Sequence, residues 1–254
     1  MRKDKTYFDR LFRLHHRREL VCPDPLQFLY SYPDVNDREI AALVCACFAY
    51  GNVKQILKNL TLILGKMDRP HAFILAASAA KLRRTFAGFK YRFTTAEELC
   101  VFLLAIKKSV QKYGSLHRCF LAHYRTDATD VREALCAFAR ELRSFGDIGT
   151  LVPDPDKNSA LKRLNLFLRW MVRCDEVDPG GWNEVSPAKL IVPLDVHMHR
   201  IAKLLRLTRR NAADMKTAVE ISRALALFCP EDPIRYDFCL TRFGIREDMS
   251  YNDL

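Results

Sequence analysis

What this sequence lacks narrows its chemistry first. Its nine cysteines stand scattered at 22, 45, 47, 100, 119, 136, 174, 229 and 239, and no two form a C-x-x-C pair. An odd, dispersed set, with several members inside apolar stretches, is no disulfide framework; such thiols act as small hydrophobes in a reducing compartment. There is no glycine-rich phosphate loop, dinucleotide fingerprint or nucleophilic-serine elbow. The longest uncharged run, 40–53, is too short to span a bilayer, and the N-terminus is charged, without an apolar signal core. Strand-like alternation is rare and only nine glycines are present. No repeat or low-complexity segment appears. These absences point to an all-α, bacterial-type cytoplasmic protein, with no membrane partner.

What is present is a helical pattern and positive charge. The 254 residues are 49% hydrophobic, enough for a core in one domain or in two lobes around a cleft. Lysine and arginine number 41 against 30 acids, a net charge of +11. That excess suits a polyanion, either nucleic acid or an anionic membrane face, although solubility charge alone gives the same balance. Apolar spacing predicts helices over 7–18, 53–66, 70–80, 94–112, 130–144, 212–228 and 232–243, and one that Asp37 caps and Gly51 stops. In the first of them Tyr7, Phe8, Leu11 and Leu14 face inward and Arg10, Arg13 and Arg17 outward. Two long loops, 146–158 and 175–187, flank the helix that begins near Ser159, and loops of that length often carry function.

That helix, Ser159-Ala-Leu-Lys-Arg-Leu-Asn-Leu-Phe-Leu-Arg-Trp-Met-Val-Arg173, sets Lys162 on a face of its own. At 100° per residue, Arg169 and Arg173 fall within about 20° of Lys162, with Leu164, Phe167, Leu168 and Met171 opposite. With Ser159 as cap, Lys162 takes the third helical position, where glutamate usually completes a capping box. A cation there meets the positive end of the helix dipole, at roughly 0.3–1 kcal/mol. The same field favours the neutral amine, the nucleophile of Schiff-base chemistry. A solvated lysine that touches a phosphate, or nothing, fits the position equally.

Asp195 heads a second helix, Pro193-Leu-Asp-Val-His-Met-His-Arg-Ile-Ala-Lys-Leu-Leu-Arg-Leu207. Aspartate is a favoured cap, and that alone explains it. A carboxylate held by amides also stays ionised and fixed, ready to stabilise the oxocarbenium charge of glycosidic cleavage. His197 and His199 follow, but helical ligand pairs recur at three or four residues, so no metal site is expected.

At these residues the chain resembles the helix-hairpin-helix DNA glycosylase superfamily. Lys162-Arg-Leu-Asn-Leu-Phe-Leu is similar to that superfamily's Lys-Thr-Ala-Asn-Val-Val-Leu, and Leu194-Asp-Val-His-Met-His-Arg-Ile-Ala to its Val-Asp-Thr-His-Val stretch. The resemblance implies Lys162 as catalytic nucleophile and Asp195 as catalytic carboxylate. The long stretch between them is closest to archaeal-type 8-oxoguanine DNA glycosylases, and the Lys-Arg-Leu-Asn-x-Phe-Leu-Arg-Trp-Met-Val-Arg run also resembles an uncharacterised bacterial family. Weaker similarity at Ala46–Gln55 and Asp232–Gly244 implies a base pocket with Asn52, Gln55, Arg169, Trp182 and Asp237, where surface amides and a helix-start aspartate are the plain alternatives. Trp182, beside two glycines, reads as a stacking lid or as a loop anchor; Trp170 reads as a packing residue and Phe238 as a third stacking candidate.

Arg163, Arg173, Arg10, Arg13 and Arg17 are the expected contacts to the DNA backbone, with Lys81, Arg83 and Arg84 further candidates. The superfamily's Leu-Pro-Gly-Val-Gly hairpin is missing, with Val152-Pro-Asp-Pro-Asp-Lys-Asn-Ser in its place, and so is its four-cysteine iron–sulfur pattern. No cofactor is therefore expected. The implied protein is a nucleoid-associated monomer acting on double-stranded DNA with a damaged base. One lobe, barrel-like, spans 37–175 and ends in the lysine helix. The other joins 1–36 to 176–254 and carries the aspartate. A non-catalytic nucleic-acid binder on the same fold remains the alternative, and a metal-dependent hydrolase built on Asp195 and the histidines a distant third.

Overall fold

Helix-start and helix-stop chemistry sets the elements seen in the structure, a computed structural model that describes residues 3–254. In chain order the α-helices are α1 (Lys5–His15), α2 (Val35–Cys47), α3 (Val53–Met67), α4 (Pro70–Ala76), α5 (Ala79–Thr85), α6 (Ala96–Tyr113), α7 (Leu116–Leu121), α8 (Arg132–Arg143), α9 (Lys162–Val172), α10 (Val196–Leu204), α11 (Met215–Ala226) and α12 (Asp237–Ile245). The only sheet among the described residues is a two-residue antiparallel ladder, β1 (Lys90–Tyr91) on β2 (Thr94–Thr95). The fold is all-α. No helix among the described residues is long and apolar enough to cross a membrane.

The chain divides into two compact units: Met1–Cys22, Thr129–Arg132 and Lys157–Leu254 form one, and Pro23–Ala128 with Glu133–Asp156 the other. The expected boundary near residue 175 therefore differs from the observed one. The lysine helix α9 lies in the same unit as Asp195, because its apolar face and its arginines are both covered by segments that follow it.

In the unit 23–128 with 133–156, α2 is buried on nearly every side from Ile40 to Cys47 and acts as a central core helix. Its cap is Asp34, which accepts the Asn36 and Asp37 N–H groups; Asp37, the expected cap, instead accepts the His71 N–H at the start of α4. The buried Glu39 likewise accepts the Leu116 and His117 N–H groups at the start of α7, at 2.7 and 3.0 Å. Each carboxylate satisfies orphan donors of another helix and meets its positive end. Thr95 and Glu98 close a capping box on α6, and Gly114, at φ +93°, stops it.

In the other unit, α12 packs on both α1 and α10. Phe8 of α1 lies between Phe228 and Tyr236, with ring centroids 4.7 and 5.3 Å away. Arg10, Arg13 and Arg17 point to solvent as expected; Leu14, expected inward, is exposed.

Candidate functional site

Lys162 is the first residue of α9, not the third. The helix begins two residues later than a Ser159 cap would start it because Leu161, buried and left-handed at φ +48°, redirects the chain. Ser159 Oγ accepts the Leu161 N–H, and the Asn165 side-chain amide donates to the Ala160 carbonyl at 2.9 Å. A leucine in that region costs about 1 kcal/mol or more, and the buried side chain and these bonds hold it there. No side chain caps α9 and no acid stands in its first turn. The positive end of this helix is left without compensation from its own sequence.

The compensating charge comes from α10. Asp195 caps it, and a single oxygen, Oδ1, accepts both the His197 and Met198 N–H groups at 3.0 and 2.9 Å. The other oxygen, Oδ2, lies 3.7 Å from Lys162 Nζ, and the two side chains keep 23% and 30% of their surface exposed. The pair is thus preformed yet reachable. Division of labour between the two carboxylate oxygens separates the fold requirement from whatever the free oxygen does.

The first turn of α10 is held from outside by the C-terminal segment. His197 Nδ1 shares a hydrogen with the Tyr251 hydroxyl at 2.8 Å, and the Arg200 guanidinium lies over the Tyr251 ring, 4.2 Å from its centroid. Burial pushes the Tyr251 hydroxyl up in pKa, with Arg200 opposing and Asp195 adding to the rise. Gly244 makes room for this contact: a Cβ there would sit 2.4 Å from the Tyr251 hydroxyl oxygen and 2.7 Å from His197 Nδ1. His199 Nε2 faces the Arg210 carbonyl at 2.9 Å. The two histidines have separate partners, and among the described residues no group of three or more His, Cys, Asp or Glu side chains is placed to hold a metal ion.

Behind the pair lies an ionic network that the helical wheel does not reveal. Arg169 and Arg173, expected on an outward ridge, are buried. Asp178, itself fully buried, receives Arg169 Nε at 3.1 Å and Arg173 Nε at 2.9 Å. Arg169 also donates to Asp237 at 2.6 Å, and Arg173 to Asp232 and Asp175. Neither arginine is placed to contact a DNA backbone. The reason is the loop after α9: Asp175 accepts the Val177 and Asp178 N–H groups, making a tight turn that aims carboxylates back at the helix. Burial opposes the charge on Arg173, but Asp178, Asp232 and Asp175 outweigh it and raise its pKa.

Burial pushes the Asp237 carboxyl up in pKa, with Asp195 and Asp178 reinforcing the rise and Arg169 opposing it. Asp237 Oδ1 has no hydrogen-bond partner among the described residues. For Asp175, burial likewise pushes upward, yet His16, whose Nε2 lies 3.0 Å away, and Arg173 more than reverse it. A depressed carboxyl stabilises the fold above the unfolded value near ~4 and loses that contribution as pH falls below it. The expected result is an acid limb in the stability profile between about pH 4 and pH 2 that Asp175→Asn flattens; unfolding by urea across that range measures it, and an unchanged limb would assign the transition to other carboxylates.

Trp182 is buried, not a lid. Its ring packs edge-on against Phe167 at 5.0 Å, and its backbone N–H donates to the Met171 carbonyl at 2.8 Å. Gly180 N–H does the same for Trp170 at 3.0 Å, so the Pro179-Gly-Gly-Trp182 stretch caps the end of α9. Gly180, at φ +67°, allows this because a Cβ would meet the Arg173 carbonyl oxygen at 3.0 Å. Trp170 is core, and Phe238, also buried, packs under Arg242 and His16. Arg163 is partly exposed beside Lys162. Asn52 and Gln55 belong to the other unit and are exposed; the Asn52 side chain caps α3 by accepting the Lys54 and Gln55 N–H groups. Tyr251 and the carboxylates at 175, 178 and 232 escape the sequence reading, because no local spacing links them to Lys162 or Asp195.

A family profile described as a protein of unknown function (DUF2400) matches residues 24–246. No curated protein and no solved structure matches the chain.

Proposed function

The chain belongs to the DUF2400 family, and from its lysine–aspartate pair we propose that it is a base-excision DNA glycosylase with β-elimination lyase activity, acting on oxidised guanine such as 8-oxoguanine in double-stranded DNA. The scaffold would be helix-hairpin-helix-like with an atypical hairpin. The observation that carries this is the 3.7 Å approach of Lys162 Nζ to Asp195 Oδ2 at an accessible surface. The damaged nucleotide leaves the stack, as enzymes acting on bases require. Asp195 Oδ2 takes a proton from the Lys162 ammonium, which frees the amine, and hands that proton to the departing base, so that as a carboxylate again it faces the positive charge left on the sugar. Lys162 Nζ bonds to C1′ as the bond to the base breaks, the base departing with its electron pair and a proton. Ring opening gives an imine; loss of a C2′ proton then expels the 3′ phosphate.

Borohydride reduces such an imine to a stable amine, so incubation with lesion duplex should give a covalent protein–DNA adduct on a denaturing gel. Absence of adduct with 8-oxoguanine, uracil, thymine glycol and abasic duplexes counts against the reading. Asp195→Asn keeps an oxygen for the His197 and Met198 amides and removes the charge facing Lys162. Its single-turnover rate is expected to fall by about 10²–10³ with the melting temperature nearly unchanged, whereas Asp195→Ala should also lose about 1 kcal/mol of stability with the cap. An asparagine variant as fast as the parent would remove Asp195 from the chemistry. A non-catalytic nucleic-acid binder draws on the same contact, since an exposed ion pair is also a structural feature; it predicts duplex binding without adduct.

A further inference from the structure

We infer that the outer face of α10 and the turn after it form the backbone-docking surface for duplex DNA, taking the place of the missing hairpin. The inference rests on the proposed reading that the Lys162–Asp195 site meets DNA. From 196 to 213 the chain carries Arg200, Lys203, Arg206, Arg209 and Arg210 and no acid. Arg210 is engaged with Asp214 and Thr217. The other four are exposed, and among the described residues none of them forms an ion pair with an acid. Arg169, Arg173 and Arg246 of the same unit are by contrast paired with carboxylates. A concentration of unpaired cations here is an unbalanced field, and its complement is a polyanion.

The placement suits a strand running past the site. Val196, Arg200 and Leu204 follow one another at four-residue steps and Lys203 stands three after Arg200, so the four share one face of the helix. At 1.5 Å per residue α10 sets Arg200 and Lys203 about 7.5 and 12 Å along its axis from the Asp195 cap, roughly two to four 3.4 Å nucleotide rises. Two of them are preoriented without being neutralised: Arg200 lies over the Tyr251 ring, and Lys203 donates to the neutral Asn211 side chain at 2.7 Å. Arg206 stands at φ +58° just past the helix, while the Leu207 N–H closes the turn on the Ala202 carbonyl. Glycine takes that position without strain; arginine there prolongs the row. The surface is shallow, a depression of about 580 Å³ lined by Val196, His199, Arg200, Lys203, Leu204 and Asn211. Val196 is 75% exposed beside Asp195 and gives the face an apolar point next to the reacting pair.

The test is the salt dependence of binding to a duplex carrying a tetrahydrofuran abasic analogue, compared between the parent, Arg200→Gln/Lys203→Gln/Arg206→Gln, and a control of equal charge from the other unit, Lys90→Gln/Arg118→Gln/Arg125→Gln. The α10 variant is expected to lower the slope of log K against log salt by about 2–3 and to weaken Kd by at least tenfold near physiological salt, the control by little. Equal losses in variant and control would reduce the effect to net charge and overturn the inference, as would retention of the full slope or preferential binding of the parent to vesicles rich in phosphatidylserine. If the parent traps no adduct but the slope still falls, the excision reading fails while the docking surface stands.

Discussion

Replacing Lys162 by glutamine is expected to abolish the borohydride-trapped adduct and to slow base release by about three orders of magnitude or more. No other amine is shown beside Asp195 Oδ2 among the described residues, so no neighbour inherits the role. Stability should hardly move. A first-turn cation costs roughly 0.3–1 kcal/mol against the dipole, and a partly exposed pair with Asp195 returns about as much. Rate and melting temperature therefore respond independently, which distinguishes a nucleophile from a structural lysine. Adduct formation by the glutamine variant at the parent's rate would transfer the chemistry to another residue.

The second large effect falls on the fold. Asp178→Ala removes a carboxylate that serves both Arg169 and Arg173 deep in the unit. Two guanidinium groups then lose a buried counter-charge, and breaking a buried pair from one side typically destabilises by about 3–5 kcal/mol. For a chain of this size that is a fall of roughly 10 °C in melting temperature. Asp178→Asn should fall between, since an amide oxygen still accepts one hydrogen bond. Thermal unfolding followed by circular dichroism reads the shift; a change under about 2 °C would mean that Asp175, Asp232 and Asp237 suffice to hold both arginines.

The helices are legible in the chain because their stripes are periodic and their caps local: Thr95 with Glu98, Asp195 before His197. The pairing of Lys162 with Asp195 follows from motif resemblance and is met at 3.7 Å. What periodicity misreads is the arginine ridge. Arg169 and Arg173 share a face with Lys162 on a wheel, and a wheel says nothing of what later segments lay over that face. Asp178, Asp232 and Asp237 arrive from five to 68 residues away in sequence and turn a polar stripe into an interior. For Trp182 the loop anchor, not the stacking lid, is the alternative met: flanking glycines suggest mobility, but here they let the loop close on the α9 carbonyls. Leu161 offers no signal at all, since nothing in the sequence marks a leucine for positive φ.

The buried arginines also give a way to sort relatives. In the run from Lys162 to Arg173 the two arginines hold the architecture and only the leading lysine faces Asp195. A chain that keeps both arginines and the aspartates at 175, 178 and 232, but carries another residue at 162, should retain the shape and be chemically silent. Divergence at that single codon would mark descendants that have kept the body and abandoned the trade.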